Sequence, residues 1–270
     1  MARNLLVFAG FVLSMAALVG LLSSWFSGGA PARIRIGAPD DSGGLLLHYI
    51  LHEKRYAKAE LRHTFEAYPL KDCCTSTSEW AFSANQLDLA VMCPDAANRL
   101  IGKDSRFTIV GPCVVNSDVL VMKPGAAPRR IGVTQKRDYQ ERLVENRFGP
   151  GCAAVPMLTA ALPYALERNF VDGVVVDILK GLAMVGGKAP ASSGEKDMTT
   201  YVLVVKRGFN TTDLYREFME TLAGAAAELN DIRALIPEVE AYKGMQWTNR
   251  ETEAWRTSKV RFVSPRKPGM

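Results

Sequence analysis

Only five cysteines and three histidines occur in the 270 residues, and their spacing excludes the common metal sites. No Cys-x-x-Cys pair is present, so a structural zinc site is not expected. His48 and His52 stand at i and i+4 but lack the glutamate of a metalloprotease helix, and solvated helix surface is their expected place. Gly43-Gly44 fits neither a Walker loop nor a dinucleotide fingerprint, and no Gly-x-Ser-x-Gly elbow surrounds Ser42 or Ser192-Ser193. No cofactor is called for, and no catalytic residue is assigned. Long charge runs are missing too. The formal charge of +5 is spread along the chain, the basic pairs Arg129-Arg130 and Arg266-Lys267 are short, and no basic stretch alternates with aromatics. Nucleic acid is not an expected partner.

What is present is the composition of a globular chain, 48% apolar and 23% charged, with enough residues for one large or two modest cores. At the N-terminus, Arg3 precedes Leu5 to Leu22, an uncharged run of 18 residues followed by Gly28-Gly29-Ala30-Pro31-Ala32. Residues 1–32 therefore read either as a cleaved signal peptide ending near Ala30-Pro31-Ala32 or as an uncleaved membrane anchor. No cysteine follows the apolar run to carry a lipoprotein anchor. In either case the body of the protein is expected outside the cytoplasm.

The centre of the pattern is Asp72-Cys73-Cys74-Thr75-Ser76-Thr77-Ser78-Glu79-Trp80. It joins a strand-like run, Leu61 to Leu70, to a helix-like run from Ser78 to Asn85. Its hydroxyl residues suit the free amides of a helix start. A loop between strand and helix lies at the carboxyl end of a sheet, where open α/β folds bind ligands. Strands are also expected at Arg33–Ala38, Leu87–Met92, Phe107–Val110 and Val119–Lys123. After Pro124-Gly125 the alternation restarts, with strands at Arg130–Val133, Ala153–Leu158 and Gly173–Val176. A Gly/Ser/Pro loop, Gly186–Lys196, leads to a strong strand at Tyr201–Val205 and helices near Leu214–Asn230 and Asn249–Lys259. The fold class is α/β, with mostly parallel sheets in two lobes joined by a two-crossing hinge. Residues 33–125 and 201–270 form the first lobe and 126–200 the second, with the ligand cleft between them.

The order of these features resembles the solute-binding proteins of ABC transporters, type II periplasmic-binding fold. The residues that carry the likeness include Arg35-Ile36-Gly37-Ala38-Pro39, Leu87-Asp88-Leu89-Ala90-Val91-Met92-Cys93-Pro94-Asp95, Asp118-Val119-Leu120-Val121-Met122 and Arg130-Ile131-Gly132-Val133-Thr134-Gln135. The segment Cys73 to Trp80 is similar to the binding subunit of selenocysteine-assisted organometal transport systems, here with cysteine throughout. The resemblance implies a non-enzymatic binder working with permease and ATPase subunits, and an organometal as its solute.

Thiolate is a soft ligand and selects soft ions such as mercury or copper(I). Cys73, Cys74, Cys93, Cys113 and Cys152 are the candidate metal ligands, the first four expected at the carboxyl ends of adjacent strands. Adjacent cysteines do not easily close a relaxed disulfide, which suits Cys73 and Cys74 to clamping a third atom. Outside the cytoplasm, cysteines also pair as disulfides, and a free cysteine also serves as apolar filler. Further ligand candidates are Thr75 and Ser76, Asp40 and Ser42 after the first strand, Asp95 after the third, and Tyr164 and Asp177 from the second lobe. Alternatives to a thiophilic binder are a binder of a small organic nutrient or anion with incidental cysteines, and a thiol-dependent enzyme.

Overall fold

The computed structural model describes residues 34–52, 65–70, 74, 81–82, 84–125, 127–192 and 196–265. The expected signal or anchor segment lies outside the described residues, as do Cys73, Thr75 and Ser76. Among the described residues no helix is long and apolar enough to cross a membrane.

Two sheets fall within one compact unit, Ile34–Met270. The first contains β1 (Ile34–Pro39), β2 (Phe65–Leu70), β3 (Leu89–Met92), β4 (Phe107–Val115), β10 (Thr199–Lys206) and β11 (Arg261–Phe262), in the order β11-β4-β10-β3-β1-β2. The second contains β5 (Asp118–Met122), β6 (Arg130–Thr134), β7 (Ala153–Met157), β8 (Gly173–Asp177) and β9 (Gly187–Pro190), in the order β7-β6-β8-β5-β9. Both are mixed rather than mostly parallel. β1 pairs parallel with β2 and β3, whereas β10 runs antiparallel between β3 and β4. β6 pairs parallel with β7 and β8, while β5 is antiparallel to β8 and β9. The antiparallel members include the strands next to the two chain crossings, which return without a covering helix.

The first crossing comes earlier than expected. β5 hydrogen-bonds into the second sheet, so the chain changes sheets at Asn116-Ser117 rather than after Gly125. β4 does not stop before Gly111-Pro112-Cys113 but runs on to Val115, with irregular pairing to β10 across that stretch. A bulged ladder tolerates the missing N–H of Pro112 and the φ of +157° at Gly111.

The helices are α1 (Ser42–His52), α2 (Pro94–Lys103), α3 (Asp138–Phe148), α4 (Leu162–Glu167), α5 (Ile178–Gly181), α6 (Asp213–Leu229), α7 (Ile232–Lys243) and α8 (Asn249–Ser258). Helix α8 starts in a capping box between Thr248 and Glu251. Helix α7 is additional to the expected helices and carries Pro237 inside it. The central strands read as apolar runs because both faces are covered. Every residue of β3 and β8 is buried, and each inward valine contributes about 1.5–3 kcal/mol through removal from water.

Candidate functional site

The described elements bring one polar cluster into the seam between the sheets. Cys93 follows β3 and caps α2, accepting the Ala96 amide at 3.4 Å. Cys74 meets it, with 2.9 Å between the two sulfurs, against about 2.05 Å in a disulfide. Both side chains are buried. From the second sheet, the turn after β6 delivers Arg137, whose Nε donates to Cys74 Sγ at 3.2 Å. The guanidinium lies over the Tyr201 ring, 5.6 Å from its centroid, and reaches the Tyr201 hydroxyl at 3.4 Å. It also approaches Asp118 Oδ1 at 3.6 Å, and both side chains are nearly excluded from solvent.

Asp118 accepts the Tyr139 hydroxyl at 2.6 Å and the Gln140 side-chain amide at 2.7 Å, both on Oδ2. Burial, and next the Asp118 carboxylate, hold the Tyr139 hydroxyl well above the usual tyrosine range. Asp177, at the end of β8, accepts from the Ser42 amide at 3.2 Å, the Ser42 hydroxyl at 3.0 Å and the Leu179 amide at 3.0 Å. Burial raises its pKa and neighbouring Asp118 raises it further, while the Ser42 hydrogen bond opposes both. Asp41 caps α1 through the Gly43 and Gly44 amides. Gly43 permits this packing: a Cβ there would stand 2.6 Å from Val91 and 3.2 Å from the Tyr201 ring. On the α2 side, Asp95 accepts the Tyr139 amide at 3.2 Å.

Cys74, Cys93, Ser42, Asp95 and Asp177 therefore fall at one seam. Several other candidates do not. Cys113 lies inside β4 rather than after it and is fully buried, and burial alone holds its thiol far above the ordinary range. Cys152 precedes β7, at the amino end of a strand, and packs in a separate apolar cluster with Leu120, Ile131 and Val175. Tyr164 does not face the cleft. Helix α4 buries Leu162, Ala165 and Leu166, which leaves Tyr164 on the outer face, 55% exposed against Phe170 and Arg168. Asp40 pairs with Lys243 at 2.6 Å and lines a separate cavity of about 490 Å³ beside β2. His48 is not on solvated surface: its Nδ1 is 2.6 Å from Glu238 and its ring packs near Tyr242. Among the described residues, no group of three or more His, Cys, Asp or Glu side chains is arranged to hold a metal ion.

Sequence reading missed Arg137, Asp118, Tyr139, Gln140 and Tyr201. The rule that located Asp95 and Asp177, attention to residues flanking a strand end, also applies to Asp118 at the start of β5. Asp118 and Asn116 also help line a cavity of about 310 Å³ beside the crossings, rimmed by the exposed cations Arg147, Lys196 and Lys259.

No protein-family model and no curated protein matches the sequence. Solved structures match its fold. The chain is similar to the ligand-binding component of an ABC-type import system from Staphylococcus aureus, solved with zinc bound, at 12% identity over 87% of this chain and 86% of that chain, TM-score 0.66. It is similar to the alkanesulfonate-binding protein SsuA of Xanthomonas axonopodis pv. citri, bound to MOPS, at 15% identity over 90% and 89% of the two chains, TM-score 0.65. A Candida albicans protein described as having the generic periplasmic binding protein fold is similar over 86% and 82%, at 11% identity and TM-score 0.60. Two mixed sheets linked by two crossings, and these neighbours, establish the periplasmic-binding-protein fold for this chain.

Proposed function

We propose that this chain is the extracytoplasmic solute-binding component of an ABC importer, and that it captures a thiophilic solute, an organomercurial or a soft metal ion, at Cys74 and Cys93. The observation that carries this reading is the pair of sulfurs 2.9 Å apart, with the Arg137 guanidinium 3.2 Å from one of them. Two sulfurs give a soft atom two soft ligands, and an adjacent cation favours the thiolate form that binds it. Cys73, Thr75 and Ser76, next to Cys74 in the chain, belong to the same proposed site. The importer role draws support from the neighbours of known role, and permease and ATPase partners follow from it. Binding needs no catalytic group, and the chain is read as a receptor rather than an enzyme.

Calorimetry with methylmercury on the full-length reduced protein tests the reading against Cys74→Ser and Cys93→Ser. Each substitution is expected to weaken binding at least about tenfold, the loss of one charge-assisted contact or more. Unchanged affinity in both variants would show that the pair is not the site.

A second reading rests on Arg137 itself, a buried guanidinium between two tyrosines, which suits an organic anion with incidental cysteines. Under that reading a sulfonate or carboxylate binds, and the Cys→Ser variants retain it.

A further inference from the structure

Asp118 opens β5 and Asp177 closes β8, and the two are direct partners across an antiparallel pair. Like charges placed directly opposite one another oppose folding. Both carboxylates are nonetheless buried, at 1% and 3% exposure. Each commits one oxygen to the protein. Asp118 Oδ2 takes Tyr139 and Gln140, and Asp177 Oδ1 takes Ser42 and Leu179. The remaining oxygens, Asp118 Oδ1 and Asp177 Oδ2, have no hydrogen-bond partner among the described residues. Arg137 stands 3.6 Å from the first, at ion-pair range without a hydrogen bond. Leaving carboxylate oxygens buried and unsatisfied is unfavourable, and a bound cation would recover that loss.

We propose that Asp118 and Asp177 form a cation subsite in the same seam, so that the solute held there carries a positive charge. The inference rests on the thiophilic reading and narrows it to a cationic solute. The charge balance supports it: the two carboxylates are neighbours, and the guanidinium beside Asp118 also donates to Cys74. Asp41, also in the seam, is compensated by the α1 amides. Among the described residues, further cations nearby are Lys180, on the short helix that Asp177 caps, and the exposed Arg147, Lys196 and Lys259 around the neighbouring cavity. Solvent and salt screen the exposed three. An anion placed at the pair would meet two carboxylates.

The test uses three thiol-reactive organomercurials of different charge: methylmercury, an alkylmercury bearing a trimethylammonium group, and para-mercuribenzoate. Calorimetry on the full-length reduced protein is expected to rank the ammonium compound first and the benzoate last, separated by about tenfold or more. Asp177→Asn, which keeps the acceptor oxygen for Ser42 and Leu179, is expected to compress that ranking while leaving methylmercury bound through the thiols. Asp118→Asn should do the same, and Asp177→Asn serves alone if loss of the Arg137 partner prevents folding. A ranking that Asp177→Asn leaves unchanged, or one led by the benzoate, overturns the subsite. A charge ranking that survives Cys74→Ser and Cys93→Ser overturns the thiol reading but keeps the subsite. Absence of binding by every probe overturns both.

Discussion

Burying Arg137 and Asp118 at 4% and 0% side-chain exposure is tolerable because each compensates the other. Removing the guanidinium alone strands a carboxylate in the interior. Arg137→Ala is therefore expected to lower unfolding free energy by about 3–5 kcal/mol in urea titration, with a smaller loss for Arg137→Lys. A loss below about 0.5 kcal/mol, the size of a surface change, would show that the pair is not coupled. Asp177 leads to a pH argument of opposite sign from the usual carboxylate. Its folded pKa is raised, so its contribution to stability is fully present below the unfolded value near 3.8 and is lost as pH rises through the folded value. Asp177→Asn removes that dependence. Its melting temperature relative to the native protein should climb between acid and neutral pH, and a flat or falling difference would contradict the assignment. Ser42, Asp95 and Asp177 were legible in the sequence because each flanks a strand end, where caps and ligands share the same residue types. Arg137 was not, since Gln135-Lys136-Arg137-Asp138 reads as a solvated turn until the first sheet is laid against it. Tyr201 reads as core, and it is core; only the guanidinium over its ring gives it another role.

At the scale of elements, α1 sets the first-sheet wall of the seam, and its entry depends on two glycines. A Cβ on Gly44 would lie 1.6 Å from the Pro39 carbonyl oxygen and 2.4 Å from the Tyr242 hydroxyl. The backbone contact has no flexible neighbour to yield, so Gly44→Ala is expected to destabilise by about 3 kcal/mol or more. Thermal unfolding checks this, and a native-like melting temperature would mean that α1 can enter by another path. Most strands were legible from apolar runs between turn residues, because Val- and Leu-rich segments have few other places to go. What escaped carries contrary local signals. Helix α7 contains Pro237, the second half of β4 passes through Gly111-Pro112, and β9 lies in a segment rich in glycine and proline. In each case tertiary packing outweighs local preference.

For the whole molecule, the two crossings are tied to one another as well as to the sheets. Asn116, held at a φ of +61°, bonds through its side chain to Asp197 at 2.9 Å and to the Met198 amide at 2.8 Å. Ser117 meets Thr200 at 2.9 Å in the same place. The first crossing was expected some eight residues later, because Asp118 to Met122 carries no signal of which sheet it joins; pairing with β8 and β9 decides that. The sheets then touch across the seam through Ser42 with Asp177, Cys74 with Arg137 and Asp95 with Tyr139. The most direct measurement of this arrangement is a crystal structure of the full-length protein with methylmercury. The expected result is mercury at the Cys74 and Cys93 sulfurs, beside Arg137. Mercury found only at Cys113 or Cys152, with the seam unchanged, would contradict the proposed site.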